Sequence, residues 1–300
     1  MDFRYIRVIM TLRKRIYRAL KPLALRLCHS KVVEWEWLKW KGYPIDWKNP
    51  RDINEKIQWL MCFSDTSEWS RCADKVLARD FVRERGLGDL LPETLGVWER
   101  AGDIDFGVLP EKFVLKCNHD SGSCVIIDKN EGYDEKAVRE DLDRHLKVRY
   151  GTAHGEMYYD RIKPLILAEE YLDGGDTSVV DYKYWCFDGK PYSIFCCHDR
   201  SKDGVVYEMY DLDWNFIPGA VIPTAHSKSG DGRVPRPRDL KKMEEAAAVL
   251  SKGFPEVRVD FYDVGGKVYF GEMSFSCLCG KIDFYSDEYL KELGNRCVIK

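Results

Sequence analysis

Apolar and polar residues alternate with a period of two along both halves of the stretch from Val257 to Phe275, VRVDFYDVGGKVYFGEMSF, and Gly265-Gly266 sits between the halves. Period two is the signature of a half-buried strand, and a Gly-Gly pair between two such runs predicts a hairpin. Val257, Val259 and Phe261 point to one face, and Arg258, Asp260 and Tyr262 to the other. On the return run, Val268, Phe270, Glu272 and Ser274 oppose Tyr269, Gly271 and Met273. This pairing sets Asp260 beside Glu272. Two neighbouring carboxylates repel unless positive charge lies between them. A hard divalent cation such as Mg²⁺ supplies it, often with phosphate oxygens as further ligands. The alternative is a solvated sheet face with an Arg258 salt bridge.

The remaining pattern predicts alternating helices and short strands. From 1 to about 31, Ile6, Ile9, Met10, Ile16, Leu20, Leu23 and Leu27 recur at helical spacing, and Pro22 is expected to kink or end that helix. Trp35, Trp37, Trp40 and Trp47 follow, as rings that fill or cover a core. Asn49-Pro50 reads as a helix start, with Ile53, Ile57 and Leu60 on the inner face. A second helix is expected to be capped by Asp74 and stopped by Gly86, and the run Thr94 to Trp98 leads into a short strand. Phe113 to Ile127 reads as strand, loop, strand. Asp134 caps a helix to about Tyr150, and Leu165 to Leu172 forms a strand ending in Glu169 and Glu170. Asp181 to His198 is a hairpin turning at Asp188-Gly189, followed by a strand from Val205 to Asp211. Pro218 to Pro237, rich in Gly, Pro and Ser, reads as a mobile loop or lid, and Asp239 to Lys252 as a helix.

Several charged residues sit where the pattern does not call for them. Lys75 lies in the first turn of its helix, where a cation gains nothing from the helix dipole. Lys116 lies inside an apolar strand and needs a partner, either phosphate or an internal carboxylate. The loop His119-Asp120-Ser121-Gly122-Ser123 has small residues whose backbone N–H groups suit a phosphate. Glu169 and Glu170 suit ribose hydroxyls or water.

Composition narrows the class. Three hundred residues with 45% apolar and 32% charged content describe a globular protein of one large core or a few lobes. A net charge of −3 favours neither acidic nor basic ligands. Eleven cysteines at irregular spacings read as mostly reduced and buried, in a reducing compartment, with no zinc site expected. No run approaches the roughly 20 apolar residues of a membrane span, and Arg13, Lys14 and Arg15 break any signal peptide. A cytoplasmic protein is expected. Arg4, Arg7, Arg13, Lys14, Arg15, Arg18, Lys21, Arg26 and Lys31 make residues 1–31 a basic amphipathic helix. It is suited either to an anionic membrane surface on the inner face or to docking on the domain. The basic bias does not continue downstream, which argues against nucleic acid.

The order of these features resembles the ATP-grasp superfamily. It is similar above all to the teichuronopeptide-biosynthesis (TupA-like) ATP-grasp group of bacterial surface-polysaccharide proteins. The carriers are NPRDINEKIQWL (49–60), CADKVLARDFV (72–82), FVLKCNHDSGS (113–123), ILAEEYL (166–172), DYKYWCFDGKP (181–191), YDLDWN (210–215) and VRVDFY…GKVYFGEMSF (257–275). The resemblance implies an α+β fold in which two lobes with antiparallel sheets sandwich ATP. The expected division is an N-terminal helical extension (1–48), a helical region (49–109), a small lobe (110–168) and a large lobe with the metal site (169–300). It implies that Lys75 and Lys116 contact the phosphates, covered by His119, Ser121, Gly122 and Ser123. Glu169, Glu170 and Leu172 then line the adenine and ribose cleft, with Lys183 also at the nucleotide. Asp260, Glu272 and Ser274 hold Mg²⁺, and Arg258 and Lys116 act at the transferred phosphate. The implied activity is ATP-dependent joining of a carboxylate-bearing sugar to an amine through an acyl phosphate. A glycosyltransferase, a kinase and a non-catalytic scaffold at the membrane are the alternatives. Two positions depart from the family pattern: Asp120 stands where glycine is usual, and Ser274 where asparagine is common.

Overall fold

The computed structural model describes residues 3–175, 179–201 and 204–299, and within these the side chains from residue 17 onward except those of 18, 200 and 201. The side chains expected to form the basic and apolar faces before residue 17, and that of Arg18, lie outside this description.

The chain opens with helix α1 (Phe3–Lys41). Pro22 is carried inside it, and the break falls at Cys28, whose φ of −146° and ψ of 52° are not helical. Proline removes one ladder bond, which the flanking turns absorb here. Trp37 is fully buried beyond the break, packed on Val33, Ile45 and the edges of Trp40 and Tyr43.

Helix α2 (Ile53–Phe63) starts later than Asn49-Pro50 suggests, because Asp52 is the cap. Its carboxylate accepts from Glu55 N at 2.9 Å, and Glu55 reaches back to Arg51 N at 2.7 Å. This reciprocal arrangement satisfies one first-turn donor, Glu55 N, and the N–H of Arg51 just before the cap. Ile53, Ile57 and Leu60 are buried as expected, each stabilising by about 1.5–3 kcal/mol. Polar members of the same motif are buried too. Asn54 exchanges two 2.9 Å hydrogen bonds with the backbone of Ile282, and Gln58 donates to Cys279 O, clamping α2 to the far end of the chain.

Helices α3 (Ser67–Ala73) and α4 (Leu77–Glu84) meet at Asp74. Asp74 accepts from Val76 N and Leu77 N, so it does cap, and it also ends α3, a helix the pattern does not show. Strands β1 (Thr94–Trp98), β2 (Lys112–Cys117), β3 (Val125–Asp128) and β4 (Ile166–Glu170) form an antiparallel sheet in the order β1-β4-β2-β3. Helix α5 (Glu135–His145) packs on this sheet around Phe113, Leu115 and Leu142. It stops before Tyr150 because His119 holds the Val148 carbonyl at 3.2 Å and His145 pairs with Asp120. A short helix, α6 (Tyr150–His154), follows.

The second sheet holds β5 (Asp181–Phe187), β6 (Lys190–Ser201), β7 (Gly204–Tyr210), β8 (Ser227–Ser229), β9 (Val257–Val264) and β10 (Lys267–Ser274), in the order β10-β9-β5-β6-β7-β8. Asp188 and Gly189 both have positive φ, as the predicted two-residue hairpin turn requires. All pairs are antiparallel except β7-β8, which is parallel. Helix α7 (Leu240–Ser251) covers the back of β5, β6 and β9, burying Tyr184, Val259 and Phe261 beneath it. Helix α8 (Asp287–Arg296) packs on α2.

Two expectations fail here for identifiable reasons. Pro218 to Pro237 is pinned rather than free. It contributes β8, and the buried Glu208 carboxylate accepts from the N–H groups of Asp231, Gly232 and Val234 at 3.1–3.2 Å. The second is the facing of β10. A bulge between Phe270 and Glu272 inserts one residue, so Met273 joins Val268 and Phe270 in the core. Glu272 and Ser274 therefore do not share the face of Val268 and Phe270.

Candidate functional site

The bulge still aligns Glu272 with Asp260, as the hairpin pattern predicts, and β5 adds Lys183 on the other side of Asp260. A charged row, Lys183–Asp260–Glu272, thus crosses three adjacent strands on the face away from α7. The next row supplies Arg258 opposite Ser274. Arg258 Nε and Nη2 hold the two oxygens of Asp260 at 2.8 and 2.9 Å, and Lys183 Nζ reaches Asp260 Oδ2 at 2.5 Å. Burial opposes the charge on Asp260, yet Arg258 and Lys183 bring its pKa below the ordinary carboxylate value. Lys183 is likewise held above its usual range by Asp260 against the cost of burial. Glu272 is the accessible carboxylate of the row. It sits 3.6 Å from Arg258 Nη2 and has about half of its side chain exposed.

This face forms one wall of a cleft of about 970 Å³. Lys75, Ser121, Lys183, Arg258, Glu272 and Ser274 all line it. A second, tight cavity of about 10 Å³ lies among Lys75, Arg79, Lys116, Glu169 and Glu272, so both lysines share a groove with the acidic strand. Lys116 pairs with Glu169, whose other oxygen accepts from Arg79 at 3.2 Å. Of the two partners foreseen for Lys116, the internal carboxylate is the one it meets. Lys75 donates to the Asp120 carbonyl. Burial lowers its pKa, with Glu272 opposing that shift and the like charge of Lys116 adding to it.

The other expected residues take different places. His119 and Ser123 are buried, the first on Val148 and the second between Cys117 N and Asp120. Asp120 turns inward to Ser123 and His145 and does not project from the loop. Gly122, at φ +92°, is exposed at the loop tip. Glu170 accepts from Glu93 N at 2.8 Å, and neither it nor Leu172 lines the two cavities.

Several residues in and around the cleft give no signal in the sequence. Asn118, buried behind it, ties the loop to its neighbours through Asp74, Lys163 and Leu165. Glu156, six per cent exposed, lines the cleft beside Tyr158 and accepts from Ser276 Oγ. Burial pushes its pKa up to about 7, with the Ser276 hydrogen bond partly offsetting. The inner face of α1 closes the far end of the cleft with Tyr17, Lys21, Trp35, Lys39 and Trp40.

The donor set suits a magnesium-bound polyphosphate. Lys75, Lys116, Lys183 and Arg258 provide cations along one groove, and Mg²⁺ needs only one or two carboxylates when phosphate oxygens complete its shell. Glu272 is available for this, while Asp260 is engaged by Arg258 and Lys183. Among the described residues no three His, Cys, Asp or Glu side chains gather into a metal-holding group without such a ligand.

The TupA-like ATPgrasp family model matches residues 55–298, most of the chain. Among solved structures, the chain is similar to D-alanine–D-alanine ligase from Bacillus anthracis complexed with ATP (16% identity, 76% of this chain and 65% of that one, TM-score 0.44). It is also similar to L-amino acid ligase from Bacillus licheniformis (15% identity, 82% and 54%, TM-score 0.46). A third is D-alanine–D-alanine ligase from Helicobacter pylori (13% identity, 76% and 61%, TM-score 0.42). The chain thus spans less than two thirds of the length of each. The comparison with curated proteins returned no match.

Proposed function

Since the chain belongs to the TupA-like ATP-grasp family, we propose that it is an ADP-forming carboxylate–amine ligase. Its substrate is then a carboxylated sugar of a bacterial surface polysaccharide or its precursor. The observation that carries this reading is the shared groove, in which Lys75 and Lys116 face Glu272 across one small cavity that adjoins the larger cleft. A triphosphate carries about four negative charges, so a carboxylate approaches its γ-phosphorus only where cations screen the repulsion. Lys75 and Lys116 hold the phosphates, Arg258 attends the transferred group, and Glu272, with Asp260 behind it and Ser274 beside it, holds Mg²⁺. The metal, when bound, neutralises charge on the phosphate oxygens. The substrate carboxylate takes the γ-phosphoryl group and ADP leaves. The amine then attacks the acyl carbon, loses its proton and expels phosphate. Glu156 lies at the cleft wall with its pKa raised by burial to about 7, so near neutral pH it is ionised in part, and in that carboxylate form it suits the residue that accepts that proton.

The test is ADP release from purified protein given Mg-ATP, a uronic acid and an amine. Turnover should fall by about two orders of magnitude in Lys116→Ala. Undiminished turnover in that variant would remove Lys116 from the phosphate end. Nucleotide binding without ADP release across a matrix of carboxylates and amines would favour the scaffold reading.

Attachment to a membrane surface is a separate proposal for α1. Leu20, Leu23 and Leu27 are 57–73% exposed, and Arg26 is exposed among them. No helix among the described residues is long and apolar enough to cross a membrane. Binding to anionic liposomes should weaken at high salt and vanish on deletion of residues 1–31. Retained binding by the truncated protein would refute it.

A further inference from the structure

The cleft is larger than a nucleotide site needs. At about 970 Å³ it lies near the upper end of the range of small-molecule pockets, roughly 300–1,000 Å³. The end remote from the charged row is built by α1, which precedes the family-matched residues 55–298. That end has its own chemistry. The Tyr17 and Trp35 rings lie 4.6 Å apart, and Trp40 lines the same wall. Lys39 Nζ stands 3.2 Å from the Trp35 ring centre and pairs with no carboxylate among the described residues. Of the α1 acids Glu34 and Glu36, Glu36 is the one that lines the cleft. It is held by Tyr17 at 2.6 Å, Lys21 at 2.8 Å and Lys281 at 3.0 Å. Burial works against its charge, yet these three partners bring its pKa down to about 2, so it stays ionised and fixes two lysines in place. Glu36 thus engages Lys21 and Lys281 and leaves Lys39 with no carboxylate partner among the described residues, beside the aromatic rings of this wall.

We propose that this wall is the acceptor subsite and that it takes an anionic pyranose of the acceptor next to the unit whose carboxylate reacts, with the sugar ring against Trp35 and Trp40 and its anion met by Lys39 and Lys21. The apolar C–H face of a sugar covers an indole ring at little desolvation cost, and the cation above the ring orients the charged substituent. A neutral sugar gains only the first contact, and a simple inorganic anion only the second. The subsite thereby selects for both at once. A carboxylate and a sugar phosphate share this chemistry. The inference rests on the ligase reading above, because it assigns the second substrate of that cleft.

Isothermal titration of the full chain with Mg-ATP and trigalacturonate tests it, with galactose 1-phosphate and a neutral galactose trisaccharide as comparison ligands. Trp35 and Lys39 are both exposed, so Trp35→Ala and Lys39→Ala are expected to fold. Trigalacturonate should bind the wild type at least about fivefold more tightly than the neutral trisaccharide. It should lose about tenfold in Trp35→Ala, and Lys39→Ala should erase the preference for charge. Tighter binding of galactose 1-phosphate with the same variant sensitivity also supports the subsite and assigns the anion as phosphate. The subsite is overturned, with the nucleotide reading intact, if Mg-ATP binds while the charged sugars do not. It is equally overturned if both variants bind them as the wild type does. Failure of the wild type to bind Mg-ATP overturns the underlying ligase reading instead.

Discussion

Glu156 carries a cost of burial that a single isosteric change exposes. Its carboxyl lies six per cent exposed in the cleft wall, and its pKa rises from the ordinary 4.5 to about 7. An acid whose folded-state pKa exceeds its unfolded value contributes fully below the unfolded value, and that contribution is lost as pH rises through the folded one. The window therefore runs from about pH 4.5 to just above pH 7. At about 1.4 kcal/mol per pKa unit, the 4.5-to-7 interval corresponds to at most about 3.5 kcal/mol. Glu156→Gln keeps the shape and an oxygen for the Ser276 hydroxyl but has no proton to lose. The variant and the wild type should match near pH 4.5, and the variant should be more stable by about 2–3 kcal/mol at pH 8. Denaturant unfolding at several pH values between 4.5 and 8 measures this. A stability difference that stays flat across that range would refute the assigned environment of Glu156.

Other perturbations probe separate features. Arg79→Ala leaves Glu169 with Lys116 alone and the Pro92 carbonyl without its donor. It should cost about 3 kcal/mol in chemical denaturation, and a loss under about 0.5 kcal/mol would show the contact to be idle. Glu256 is fully buried with both oxygens unpartnered and its pKa pushed up by burial. Glu256→Met should therefore stabilise by about 1–3 kcal/mol at pH 8, and destabilisation would contradict this account. Glu208→Ala releases the N–H groups of residues 231, 232 and 234. Tryptic cleavage at the exposed Arg233 should then accelerate, and an unchanged cleavage rate would mean that other contacts hold the loop.

Period-two alternation and turn glycines made the strands and the Asp260–Glu272 pairing legible, because side-chain facing in a hairpin is local information. The cap at Asp74 and the inner face of α2 were legible for the same reason. What escaped depends on distant partners. Nothing near Pro218 to Pro237 reveals that Glu208 will gather its N–H groups. The NEKIQWL run does not say that Asn54 and Gln58 will grip Ile282 and Cys279. The small residues of the 119–123 loop are legible, whereas the contacts of His119 with Val148 and of Ser123 with Cys117 depend on neighbours that the local pattern does not show. Glu156 and the α1 wall enter the cleft only through tertiary packing.

The extra residue at the β10 bulge decides which side of the sheet bears charge. Gly271 occupies it because an added methyl would come within 3.0 Å of the Asp260 carbonyl and the Tyr262 ring. Pairing Gly271 with Asp260, with no residue lost, would restore strict alternation and drive Glu272 toward α7, into hydrocarbon, whereas excising Gly271 would keep the acid opposite Asp260. Loops elsewhere can gain or lose a residue at small expense, but here a slip of the pairing by one position would strip the groove of its accessible acid and bury it in the core together.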